Sequence, residues 1–201
     1  ASSTVSVQAT DSDGDAGNTA SQPVTISNIA PTIAISGAAS VNEGSSYSLT
    51  LGAVSDPGSD TVSSYLVHWG DGSSDSYSSN GVKTHTYADG PNNYPVTVDL
   101  IDEDGTFTNR ANALSVSVNN VAPSIVISGA ANVNEGSPYS LTLSPPTDPG
   151  TDTVTSYVVH WGDGSSDTYT ANGAQTHIYA DGPASRTITV DLVDEDGTFT
   201  N

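Results

Sequence analysis

The stretch His68-Trp69-Gly70-Asp71-Gly72-Ser73-Ser74-Asp75 recurs unchanged at His160–Asp167, 92 residues further on. The same interval separates DEDGTFTN at Asp102 from its copy at Asp194, and VNEGS at Val41 from its copy at Val133. A period this long, carried by short strand-like segments, marks an array of β-domains rather than a solenoid of smaller units. Outward from HWGDGSSD, alternating or apolar β-branched runs occupy Thr32–Ile35, Tyr47–Leu51, Tyr65–Trp69, Val82–Tyr87, Val96–Ile101 and Leu114–Val118. NEG, DPG, GDG, NG, ADGP and DEDG separate them, each supplying Gly, Asn or Pro for a tight turn. Asn80-Gly81 and Asn172-Gly173 have the composition of type I′ hairpin turns.

Short strands at this spacing, with almost no helix signal, predict an all-β chain: tandem immunoglobulin-like β-sandwiches in an elongated array. Inward-facing strand residues must be apolar, so Val67, Trp69, Leu100, Val159, Trp161 and Leu192 are expected in the cores. The first 28 residues match the end of the repeat: Val5, Val7 and DSDG at Asp11 align with Val96, Val98 and DEDG at Asp102. VTISNIAP at Val24 then aligns with VSVNNVAP at Val116. The expected division is residues 1–28, the last strands of a preceding repeat; 29–120, a complete domain; and 121–201, a second domain without its last strand. Asn28–Pro31 and Asn119–Pro123 are the linkers, each with a Pro that restrains the chain entering the next domain.

The charge is nearly all of one sign, with 23 Asp and Glu against 3 Lys and Arg, for a formal net charge of −20. Internal ion pairs cannot neutralise that excess, so self-repulsion disfavours a compact state unless cations relieve it. Nucleic acid and anionic membranes need basic patches that are absent, so neither is an expected partner. Every acidic position of residues 31–122 has an acidic counterpart 92 residues later, whereas Lys83 is matched by Gln175 and Arg186 by Tyr94. Acid positions are held while basic ones drift. The absence of Cys excludes a disulfide framework and thiolate metal sites, and with the Ser/Thr/Asn/Gly-rich composition it suits a bacterial surface protein.

The order VHWGDGSSD, THTYADGP, YPVTVDL resembles polycystic-kidney-disease (PKD) domains, whose hallmark is a WDFGDGS-type turn followed by HTY and a TVTLTV strand. The resemblance covers each full repeat, with one departure. Val67 and Val159 stand at the usual Trp position, and Trp69 and Trp161 at the Phe position. It implies tandem modules of large extracellular bacterial proteins and adhesins, or accessory modules of secreted enzymes.

In an immunoglobulin-like topology loops alternate between the two poles of the sandwich. The turns carrying Asp56, Asp60, Asp102 and Asp104 then fall at the N-terminal pole, and those carrying Glu43 and Asp89 at the opposite one. At the junction of the two domains, Glu43 and Asp89 would meet Asp148, Asp152, Asp194 and Asp196, with Asn119 and Asn120 between them. Calcium takes six to eight oxygens at roughly 2.3–2.6 Å from flexible turns, so it is the expected cofactor. Asp11, Asp13 and Asn28 are the matching candidates at the first linker. The linker NNVAP, the NEG turn and the DED hairpin also resemble cadherin calcium junctions. A simpler reading has each Asp capping its own Gly turn; it is preferred for Asp71 and Asp163. The four histidines read as plain strand positions, and nothing resembles a nucleophile elbow, so no enzymatic activity is expected.

The expected function is an extracellular structural repeat at the bacterial cell surface: a stalk, adhesin extender or fibre stiffened by calcium. Its partners would be neighbouring repeats, identical chains in a fibre, or glycans and cell-surface matrix. A carbohydrate- or protein-binding accessory module of a secreted hydrolase is one alternative. A filament assembled by strand complementation between chains is the other.

Overall fold

A computed structural model describes residues 2–200 and contains strands and no helix among them. It opens with a hairpin of β1 (Ser2–Val7) and β2 (Ala20–Thr25). The pairing of Ser3 with Val24 there matches the pairing of Tyr94 with Val116 in the first sandwich, at the offsets of the sequence alignment. The hairpin thus repeats the last strand pairing of a repeat. It has no second sheet to pack on, and Val5, Val7 and Val24 are exposed.

The first complete sandwich runs through β3 (Thr32–Gly37), β4 (Ser40–Asn42), β5 (Ser46–Ser55), β6 (Ser64–His68), β7 (Ser74–Tyr77), β8 (Gly81–Thr86), β9 (Asn92–Asp102), β10 (Gly105–Phe107) and β11 (Leu114–Asn119). One sheet has the order β3-β5-β8; the other has β4-β11-β9-β6-β7, with β10 against β9. Period-two alternation turns Ile33, Ile35, Tyr47, Leu49 and Leu51 of the first sheet toward Tyr65, Val67, Val96, Val98, Leu100, Val116 and Val118 of the second. Trp69 fills the centre, and the Tyr87 hydroxyl donates to its carbonyl across the core at 3.1 Å.

The second sandwich repeats this with β12 (Ile127–Gly129), β13 (Pro138–Leu143), β14 (Ser156–His160), β15 (Ser166–Tyr169), β16 (Gly173–Ile178), β17 (Thr189–Val193) and β18 (Thr198–Phe199). Tyr157 faces Leu192 and Val159 faces Val190, as Tyr65 faces Leu100 and Val67 faces Val98. All six core residues expected from the sequence are buried. Residues 132–134, counterparts of β4, are not a strand; β4 is held by parallel pairing with β11.

Two local expectations give way to tertiary structure. Asn80-Gly81 is not a type I′ hairpin, because β7 pairs with β6 and β8 with β5, so the turn passes between sheets. Only its Gly81 has positive φ, whereas a type I′ turn needs both central residues there. The short strands β4, β7 and β10 were absent from the sequence pattern because they sit at edges and sheet ends, where apolar alternation is weak.

Leu100→Ala, which removes a fully buried side chain, is expected to destabilise the first sandwich by about 2–5 kcal/mol in urea unfolding followed by Trp69 fluorescence. Val82→Ala, on the exposed face of β8, should cost about 1 kcal/mol or less.

Candidate metal centre

At the N-terminal pole of the first sandwich, the β5–β6 loop supplies Asp56 and Asp60, and the β9–β10 hairpin supplies Asp102. One oxygen from each lies within 4.8 Å of the others. Asp102 accepts from the Asp104 and Gly105 amides through Oδ1 at 2.8 and 3.2 Å, and Asp56 accepts from Gly58 N–H through Oδ1 at 2.6 Å. The second oxygen of each is buried with no hydrogen-bond partner. Turn capping therefore leaves one oxygen of each of these two carboxylates free. Glu103 ties the two loops together by accepting from Thr61 N–H at 3.1 Å. Asp104 contributes a like charge beside Asp60 rather than a member of the triad.

The junction between the sandwiches is more elaborate. Parallel pairing of β4 with β11 delivers Glu43 to the start of the linker, where its amide donates to Asn119 O at 3.0 Å. The Glu43 carboxylate is fully buried; Oε2 accepts from Gly90 N–H at 2.7 Å and Oε1 from Val121 N–H at 2.6 Å. Its counterpart Glu135 makes the equivalent bond to Gly182 but is exposed, so burial of Glu43 comes from the linker and the second sandwich. Backbone also bridges the two bodies, with Thr151 N–H donating to Ala88 O at 2.9 Å. The fit is close enough that a Cβ on Gly150 would stand 2.7 Å from Glu43 Cδ, inside any real contact distance.

Two carboxylate triads form there: Glu43, Asp148 and Asp152, and Asp89, Asp152 and Asp196, each with oxygens mutually within 4.8 Å. Asn120 Nδ2 donates to Asp196 Oδ2 at 2.8 Å, which leaves Asn120 Oδ1 buried and unpartnered. Asp148 Oδ2, both oxygens of Asp152, and Oδ2 of Asp194 are likewise buried without partners. Asp194 is 7% exposed and spends Oδ1 on the Asp196 and Gly197 amides, as Asp102 does in the first sandwich.

Burial, and then the charges of Glu43, Asp148, Asp196 and Asp89, push Asp152 up to about 7. Burial and like charges also raise Asp60 and Asp196. No basic side chain answers this charge. Lys83 lies over the Tyr77 ring, Arg110 donates to Pro31 O, and Arg186 to Gly162 O. The donor set is all hard oxygen from carboxylates and an amide, which suits calcium rather than nitrogen- and sulfur-seeking zinc.

The remaining expected ligands lie elsewhere. Asp11 caps its own turn, accepting from the Asp13 and Asp15 amides at 3.0 Å each. Asp11 and Asp13 join no carboxylate triad among the described residues, nor does a hydrogen bond bring Asn28 in the linker to one. Asn119 holds Glu43 through its backbone carbonyl and donates from its side chain to Asn42.

The histidines depart from plain strand positions. His85 stacks on Trp69 with centroids 4.6 Å apart and the planes 7° from parallel, and bonds Asp71 Oδ2 at 2.6 Å. His177, Trp161 and Asp163 repeat the arrangement. Asp163 Oδ1 caps the turn through the Ser165 hydroxyl and amide, and these bonds with His177 hold its carboxyl below the usual range. Trp69 Nε1 donates to Asp75 at 2.8 Å, and His68 pairs with Asp99 at 3.0 Å. The signal for these pairs was the joint retention of Trp, His and Asp in both repeats.

Residues 28–118 match the family model described as PKD domain. The span runs from the first linker to Val118 in the last strand of the first complete sandwich, an immunoglobulin-like β-sandwich. No curated protein matches the chain. Among solved structures, the fibronectin(III)-like modules of Clostridium thermocellum CbhA align over 83% of this chain and 89% of theirs, at 16% identity and a TM-score of 0.35.

Two outcomes follow from the junction. A carboxyl with a raised folded-state pKa binds more protons folded than unfolded between its two pKa values. In chelator, stability should therefore fall as pH rises from about 4 to about 7 and level off above, read by thermal melts. Gly150→Ala should displace Glu43 and speed hydrogen exchange at the Gly90 and Val121 amides it accepts from.

Proposed function

We propose that this chain is a non-catalytic extracellular structural repeat, a spacer in a bacterial stalk or adhesin extender, in which calcium at the junction fixes one sandwich against the next. The observation that carries this reading is the set of buried, unpartnered oxygens on Asp148, Asp152, Asp194 and Asn120, at a junction where Asp148, Asp152 and Asp196 gather with Glu43 and Asp89 of the preceding sandwich. Buried polar atoms are nearly always satisfied, and a buried unpaired carboxylate is costly. A divalent cation removes both penalties at once and draws its ligands from both bodies. Binding then opposes separation of the sandwiches, which is what a load-bearing spacer requires.

Extracellular calcium modules bind at roughly 10⁻⁴–10⁻³ M, within reach of millimolar external calcium. Occupancy at 100 times the dissociation constant adds about 2.7 kcal/mol to stability by linkage. Calcium should therefore raise the melting temperature and lengthen the maximum dimension seen in small-angle scattering, with chelator reversing both. Asp148→Asn combined with Asp152→Asn should remove most of either response. If chelation changes neither quantity in the parental chain, the spacer reading fails.

A further inference from the structure

The two triads at the junction have one residue in common. Glu43 and Asp148 meet Asp152 in one, and Asp89 and Asp196 meet it in the other. Asp152 is also where both carboxylate oxygens are buried and neither has a partner. The other unpartnered side chains at the junction are Asp148, Asp194 and Asn120, and each leaves one oxygen free. The carboxylates of Asp148 and Asp194 spend their first oxygen on backbone amides. A carboxylate with two free, desolvated oxygens that belongs to two different acidic triads can give one oxygen to each of two cations.

Charge balance points the same way. Glu43, Asp89, Asp148, Asp152 and Asp196 are five acidic groups in contact distance of one another through Asp152. One divalent ion would leave a net charge of about −3 on them, in surroundings that screen poorly, whereas two leave about −1. Neither triad fills a coordination sphere of six to eight oxygens by itself, so Asn120 Oδ1, bidentate carboxylates and water would complete them. In the first sandwich the counterpart of Asp152 is Asp60. It belongs to one triad only, formed wholly within its own domain, and its oxygens are not among the buried unpartnered ones.

We infer that the junction is a two-cation centre bridged by Asp152, with Glu43 and Asp148 holding one calcium ion and Asp89 and Asp196 the other. The inference rests on the calcium reading above and adds to it a stoichiometry, a bridging residue and a division of ligands. It makes the junction cooperative, because the first ion fixes the carboxylate that the second one needs.

Calcium titration of the full chain by calorimetry tests it, in an Asp60→Asn background that removes the isolated triad of the first sandwich. Two bound ions are expected. Asp89→Asn should leave one, since Asp89 is exposed and its loss removes no hydrogen bond that holds the fold. Asp148→Asn should also leave one, and Asp152→Asn should weaken both at least tenfold. Co-loading terbium and neodymium supplies a second readout, ion proximity, that can be taken on the parental chain. Neighbouring ions sharing a carboxylate should quench terbium emission, and Asp89→Asn should restore it. One bound ion in the parental background, or a count unchanged by Asp89→Asn, overturns the two-cation centre while leaving calcium binding intact. No calcium uptake at all overturns both readings.

Discussion

Glu43 is a carboxylate with no exposed surface, held by two backbone amides that belong to different parts of the chain. Gly90 lies in a loop of its own sandwich and Val121 in the linker, while Gly150 of the second sandwich closes over the carboxyl group. Hydrogen bonds to a charged group are worth about 1.5–3 kcal/mol each, and leaving that group buried without them would cost several. The end of one domain, the linker and the start of the next are therefore organised around a single negative charge. The rest of the junction depends on it, because Asp148 and Asp152 approach that charge rather than retreat from it.

Such an approach is costly unless a proton on Asp152 or a cation relieves it. The chain has 3 basic residues, and each is engaged away from the junction. The same loops repeat at the first pole, where Asp56, Asp60 and Asp102 converge without a preceding sandwich to cover them. A comparison of the two poles separates what one domain builds from what two domains build together. Each domain prepares a set of capped Asp residues, with one oxygen committed to the backbone and one left over. The neighbouring domain contributes Glu43, Asp89 and the dry surroundings.

Much of this was legible in the residues. The 92-residue period announced repeated β-sandwiches, and strand alternation located the core, because inward positions in a thin sandwich tolerate few polar groups. Retention of acidic positions, against drift of basic ones, drew attention to the loops whose carboxylates gather at the poles. The sequence pattern did not carry the division of labour between carboxylate oxygens, since turn capping and ligation ask for the same residue types. Nor did it show that Gly150 lets the second domain close over Glu43, or that His85 packs on Trp69, because those contacts join strands far apart in sequence. Asp11, Asp13 and Asn28 were grouped with the ligands by alignment alone. In the structure Asp11 caps its own turn, accepting from the amides of Asp13 and Asp15.

Anomalous diffraction from crystals soaked in terbium tests the central claim most directly, because it locates cations without relying on stability or shape. The account predicts strong peaks at the junction, one among Glu43, Asp148 and Asp152 and one among Asp89, Asp152 and Asp196. An absence of peaks there, with the free oxygens of Asp148 and Asp152 bonded only to water, would contradict it.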